Sequence, residues 1–276
     1  YDVVEQITAR IEKENSKNAR MAKEIQENKE KINYFAHKGG KMRLVAKKMK
    51  EKVDAYESEK IVVRKEDKTI RDFTIPAQAE IPSTVMKIDS FTVLQDSKEI
   101  TKTARILLGK EQHLLIKGPN GIGKTTLIES LAKGTAPGAI ISPGVNVGYY
   151  RQDFSTLNYE HTVHESLVEA MLLGDGSGTE ELLRSVAAGF LIDKHLISTE
   201  IYALSEGQKG LVSFARLVLQ KPGLLILDEP TNHINFRHLP VIARALDEYK
   251  GTMILVSHVE SFVEKIRIDT VLDLAR

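Results

Sequence analysis

Gly118-Pro119-Asn120-Gly121-Ile122-Gly123-Lys124-Thr125 sets four residues between a glycine and Gly-Lys-Thr. That spacing suits a backbone loop that wraps phosphate oxygens. Glycines let the chain curl so that successive N–H groups face one anion. Lys124 would reach the β and γ phosphates of a nucleotide, and the Thr125 hydroxyl would ligand Mg2+. The apolar run Leu114-Leu115-Ile116 precedes the loop, and the helix-like stretch from Thr125 to Ala132 follows it. A helix beginning there adds its positive end to the phosphate site. Gly118, Asn120, Gly121, Gly123, Lys124, Thr125 and Thr126 are the expected phosphate-binding residues.

A second constellation lies about 100 residues downstream. Leu224-Leu225-Ile226-Leu227 reads as a buried strand, and it runs directly into Asp228-Glu229. The carboxyl ends of such strands are where α/β folds bind ligands. Asp228 suits the Mg2+ sphere, and Glu229 suits a base that polarises an attacking water.

These residues need strands to hold them. Leu114-Leu115-Ile116, Leu224-Leu225-Ile226-Leu227 and Met253-Ile254-Leu255-Val256 are short apolar runs separated by helical stretches. Runs of that kind predict strands covered on both faces, hence an α/β domain over residues 85–276. Gly174-Asp175-Gly176-Ser177-Gly178 reads as a flexible loop. Residues 61–84, with Pro76, Pro82 and the short β-type run Ile61-Val62-Val63, read as a partly extended connector.

Residues 1–60 are of another kind. They hold no proline, and their only glycines are Gly39 and Gly40. Val4, Ile7, Ile11, Met21, Ile25, Ile32 and Phe35 draw a narrow apolar stripe on one predicted helix. Met42, Val45, Met49, Val53 and Tyr56 do the same on a second. The glycine pair breaks the two apart, which predicts an antiparallel hairpin. From Lys31 to Val53 there are eight Lys or Arg and one acid, Glu51. Lys38, Lys41, Arg43, Lys47 and Lys48 gather at the turn, where such a cluster can follow an RNA phosphate backbone.

The bulk composition constrains less. The net charge of +1 over 276 residues names no partner. The absence of cysteine rules out disulfides and cysteine metal sites and fits a reducing cytoplasm. No apolar run approaches the roughly 18 residues that span a bilayer, and no signal pattern opens the sequence. Residue 1 is Tyr rather than Met, as expected for part of a longer chain.

Further motifs carry a family resemblance. Leu204-Ser205-Glu206-Gly207-Gln208 resembles the signature of ATP-binding cassette proteins, Gln152 the glutamine of their Q-loop, and His258 their switch histidine. With the phosphate loop and the acidic strand, five motifs stand in family order. Glu229-Pro230-Thr231-Asn232-His233 and Tyr149-Tyr150-Arg151-Gln152-Asp153-Phe154 resemble the F subfamily, whose members carry two cassettes and no membrane domain. The resemblance implies a P-loop NTPase of the cassette type with a helical signature subdomain. It casts Glu229, His258 and Gln152 as catalytic residues, and Thr125, Gln152 and Asp228 as the Mg2+ set. Ser205, Glu206, Gly207 and Gln208 would face the nucleotide of an opposing cassette. Residues 1–60 resemble the linker that touches tRNA on the ribosome, so the chain would be linker plus second cassette. Glu206 stands where the signature usually has Gly, Asn235 replaces an Asp, and Val259-Glu260 replace Asp-Arg. An adenine-stacking residue is expected between Val93 and Gln95, with Phe91 the nearest aromatic.

The expected protein is a cytoplasmic, ribosome-associated ATPase that uses ATP and Mg2+ and works with a second cassette. The rivals are the ATPase subunit of a membrane transporter and a DNA-associated cassette ATPase.

Overall fold

The computed structural model describes residues 68–95 and 98–275, together with the helical positions Lys48, Lys50 and Val53. Two compact units divide the chain, Tyr1–Thr69 and Ile70–Arg276. In the first, Lys48 and Lys50 are exposed and Val53 is buried. The hairpin expected over 1–60, with Lys38, Lys41, Arg43 and Lys47, otherwise lies outside the described residues.

The second unit is built on two sheets. β1 (Thr84–Gln95), β2 (Lys98–Gly109) and β4 (Ala139–Ile141) form an antiparallel sheet in the order β2-β1-β4. The other sheet is parallel and five-stranded. Its members are β3 (His113–Lys117), β5 (Val147–Tyr150), β6 (Leu224–Asp228), β7 (Thr252–Val256) and β8 (Thr270–Asp273), in the order β5-β6-β7-β3-β8.

Every residue of β6 and β7 is buried, as their unbroken apolar runs require. Successive side chains on a strand point to opposite faces, and this alternation splits the interior in two. Leu114, Ile116, Leu224, Ile226, Ile254 and Val256 pack with β1 and with α1 (Lys124–Ala132). Leu115, Leu225, Leu227, Met253 and Leu255 face the other way. They meet α2 (Val163–Leu173), α3 (Glu180–Gly189), α4 (Glu206–Gln220) and α5 (Leu239–Asp247).

α2 and α4 both begin with reciprocal caps. Thr162 and Glu165 exchange side-chain-to-backbone hydrogen bonds at the start of α2, and Ser205 and Gln208 do so at α4. Such caps satisfy N–H groups that the helix itself leaves unpaired. Arg216 of α4 locks the pair of helices, donating to Ser166 Oγ at 2.7 Å and to Glu169 Oε2 at 2.8 Å.

The compact unit begins at Ile70, ahead of the start at 85 expected from composition. Ile70 and Ile75 are core residues. The Phe73 ring lies 4.7 Å from Phe190 and 6.4 Å from Phe214, and the Gln78 amide bonds to Gly144 and Asn146. The glycine-rich segment 174–178 is likewise anchored. Asp175 accepts from the Ser177 N–H, the Ser177 hydroxyl and Lys221 Nζ, the last at 2.7 Å.

Candidate functional site

Parallel strands send their carboxyl ends to one edge of a sheet. Here β3 delivers the phosphate loop, β6 delivers Asp228, β7 leads to His258 and β5 leads to Gln152. Four motifs far apart in sequence therefore meet at one edge.

The loop has the form its glycines allow. Gly121 and Gly123 adopt φ values of 81° and 99°, a left-handed region that side-chain-bearing residues rarely enter. A side chain at Gly121 would meet nothing within 4 Å, so the loop opens outward at that point. Gly123 caps α1 without any side-chain hydrogen bond, leaving the first N–H groups of the helix for an anion. Lys124 folds back over the loop and donates to the carbonyls of Gly118 at 2.8 Å and Pro119 at 3.0 Å. Burial lowers its pKa, and the nearby Glu229 and Asp228 oppose that shift.

The end of β1 is fastened to the same loop, because the Leu94 N–H donates to the Ile122 carbonyl at 2.9 Å. Phe91 and Val93 point into the core, while Leu94 is 41% exposed. Phe91 therefore cannot lie against a base. Leu94 holds the surface beside the loop.

Asp228 is 1% exposed, and neither of its carboxylate oxygens has a hydrogen-bond partner. Burial raises its pKa, and the neighbouring Glu229 adds to the rise. The Thr125 hydroxyl opposes it, without completing a hydrogen bond to either oxygen. An unpartnered buried carboxylate is costly, and a cation would satisfy it. Thr125 and Gln152 line the same cleft. An oxygen set this small suits Mg2+, which keeps waters and phosphate oxygens among its ligands. Among the described residues no cluster of three His, Cys, Asp or Glu could hold a metal without such help.

Glu229 follows at φ 49°, a conformation unusual for a residue with a side chain. Its N–H donates to the Val256 carbonyl at 2.9 Å, which ties the turn after β6 to the end of β7. The His258 N–H donates to Glu229 Oε2 at 3.3 Å. The His258 ring stands at ion-pair range from the other oxygen, with Nε2 3.3 Å from Oε1, although Oε1 has no aligned hydrogen bond.

Thr125, Arg151, Gln152, Asp153, Asp228 and His233 line a cleft of about 360 Å3, with Phe154, Tyr159, Glu206 and Lys209 on its α4 side. Gln152, Asp228 and Thr125 thus line one cleft. Of the signature, Glu206 reaches the cleft, whereas Ser205, Gly207 and Gln208 do not line it. The Ser205 hydroxyl and the Gln208 amide are engaged in the cap of α4.

Sequence reasoning missed several members of this site. Arg151 pairs with Glu129 of α1 at 3.1 Å and with Asp153 at 3.0 Å, holding the Gln152 segment against the phosphate-loop helix. Lys209 sits 4.7 Å from the centre of the Tyr159 ring. His233 Nδ1 lies 2.7 Å from Glu206 Oε2. Arg151 and His233 stand inside motifs already singled out, but nothing local in sequence marks their partners.

Residues 101–232 match the family model described as ABC transporter. The chain is 33% identical over 185 residues to the "Probable ATP-binding protein YbiT" of Escherichia coli O157:H7, covering 66% of this chain and 34% of that protein. It is 30% identical over 203 residues to the "ABC transporter F family member 4" of Arabidopsis thaliana, covering 70% of this chain and 28% of that protein. The chain spans about a third of the length of the curated relatives it matches. Among solved structures it is similar to an "ATP binding subunit of ABC transporter" (TM-score 0.59, 18% identity), covering 70% of this chain and 88% of that one.

Proposed function

We propose that the chain hydrolyses Mg-ATP as part of a cytoplasmic, ribosome-associated factor of the F subfamily; the match of residues 101–232 to the ABC transporter family model and the P-loop NTPase fold of the cassette type support the reading. The observation that carries the hydrolytic reading is Glu229. The residue is 7% exposed, stands on a left-handed turn next to the unpartnered Asp228, and its carboxylate is approached twice by His258.

In this reading Lys124 and the N–H groups of the phosphate loop bind the β and γ phosphates. Thr125 and Asp228, with Gln152 beside them, hold Mg2+, which neutralises phosphate charge. Glu229 orients the attacking water as general base, and His258 holds the carboxylate in place. Ser205 and Gly207, which do not line this cleft, serve the nucleotide of a facing cassette, so each complete site needs two cassettes. Closure on ATP would be coupled to the N-terminal segment, whose Lys38, Lys41, Arg43, Lys47 and Lys48 would contact tRNA or ribosomal RNA.

Support for the subfamily comes from the Glu229–His233 motif and from the F family relative. Among the described residues no helix is long and apolar enough to cross a membrane.

Two measurements test the proposal. Glu229→Gln should retain ATP affinity and lose turnover by about 10²-fold or more, whereas Lys124→Ala should lose affinity. Normal turnover in Glu229→Gln would sink the catalytic assignment. Co-sedimentation with ribosomes across a salt series should weaken steeply as salt rises. It should weaken further when the five basic residues become Gln. Recovery with membranes or DNA instead would favour the transporter or DNA-associated reading.

A further inference from the structure

The ion pair of Glu206 and His233 has no part in the roles assigned so far, yet each member belongs to a segment that the nucleotide chemistry uses. Glu206 stands in the first turn of α4, and its Oε2 lies 2.7 Å from His233 Nδ1. His233 closes the turn that opens at Glu229. Both ends of that turn are left-handed, with φ 49° at Glu229 and 64° at His233, and the Asn232 N–H donates to the Glu229 carbonyl at 3.1 Å. Such conformations persist only where the surroundings over-determine them.

At His233 those surroundings are specific. Glu206 holds its ring on one side, and Phe154 packs near it at a centroid distance of 6.0 Å. A Cβ added at Gly207 would come within 3.1 Å of the His233 carbonyl, so the signature backbone lies against the turn. Ser205 and Gln208 bond within their own cap. Glu206 is the polar side chain of the motif that reaches another segment. Stability does not account for the contact. His233 and Glu206 are 38% and 65% exposed, and ion pairs that open to water contribute little.

We propose that Glu206 and His233 form a positioning pair that ties the signature turn to the turn bearing Glu229. Nucleotide bound on the signature face then sets the geometry of the carboxylate that acts on this chain's own nucleotide. The inference rests on the roles proposed above for Glu229 and the signature. It gives a reason for a carboxylate at 206: a glycine there could not reach His233.

A kinetic double-mutant cycle tests it, run on the protein with its partner cassette present and with Glu229→Gln as reference. Glycine enters positive φ freely, so His233→Gly keeps the turn and removes the ring that meets Glu206. Glu206→Ala removes the other half. Each single change should lower kcat for ATP about five- to tenfold at nearly constant KM, and the double variant should be no slower than either. Unfolding midpoints like the parent's would place the loss in the chemistry rather than the fold. If the two losses multiply, or if only KM moves, while Glu229→Gln is inactive, the pair is overturned and the catalytic reading stands. Normal turnover in Glu229→Gln would overturn both.

Discussion

His258 meets Glu229 at two points: its backbone N–H donates to Oε2 at 3.3 Å, and its ring Nε2 stands 3.3 Å from Oε1. One residue therefore bonds one oxygen of the carboxylate and stands within ion-pair range of the other. The two contacts differ in what a substitution can remove. His258→Ala deletes the ring contact and keeps the backbone one. Turnover should fall by on the order of 10²-fold, while ATP affinity, measured by calorimetry, stays near the parent value. An equal loss of affinity would show that His258 binds nucleotide instead of positioning Glu229.

Asp228→Asn should stabilise the ligand-free cassette while weakening Mg-ATP binding. The carboxylate is buried without a partner, and burial raises its pKa. A raised folded-state pKa means that ionisation near neutrality works against the fold, and a neutral amide removes that cost. A gain of about 1 kcal/mol would raise the unfolding midpoint by about 2–4 °C for a domain of this size. A lower midpoint in the variant without nucleotide would contradict the account.

ATPase activity of this chain should rise faster than linearly with its concentration. In the proposed function Ser205 and Gly207 serve the nucleotide of a facing cassette, so a single copy would offer two half-sites. Specific activity that stays constant from dilute to concentrated protein, with a monomer throughout by light scattering, would refute the half-site arrangement.

Two buried histidines predict acid sensitivity. Burial lowers the pKa of His238, and the Arg237 charge adds to the effect. His238 Nδ1 accepts the Ile70 N–H at 3.4 Å, which needs the neutral ring. Burial likewise lowers the pKa of His113, against the opposing pull of its hydrogen bond with the Arg267 carbonyl. Each folded-state pKa lies below the unfolded one. The stabilisation is complete above the ordinary histidine range, and it declines as pH falls below about 6.5. The ceiling on the decline is about 1.4 kcal/mol per pH unit for each ring. Unfolding midpoints from pH 8 to 5 should trace it, and His238→Gln should flatten the curve. An unchanged curve in that variant would remove His238 from the explanation.

What was legible in sequence was what a few neighbouring residues determine. The glycine spacing of 118–125 and the apolar run ending in Asp228-Glu229 each act within one turn or one strand. Their local physics is the same in any fold that contains them. The apolar runs were enough for an α/β domain with strands covered on both faces, while the parallel pairing and the strand order came from the structure.

Tertiary structure decided which distant groups touch. The segment 174–178 looks loose from its glycines, but Lys221 anchors Asp175 from the far end of α4. Phe91 is the aromatic nearest the expected base position, yet the register of β1 turns Phe91 and Val93 inward and leaves Leu94 beside the phosphate loop. Ile70 and Phe73 read as connector residues until the core of α3 and α4 closes over them. Glu206 and His233 meet, as do Arg151 and Glu129, because the parallel sheet sends its loops to one edge. Side chains of a few ångströms' reach pair only after the backbone has brought them together, and no local pattern records that approach.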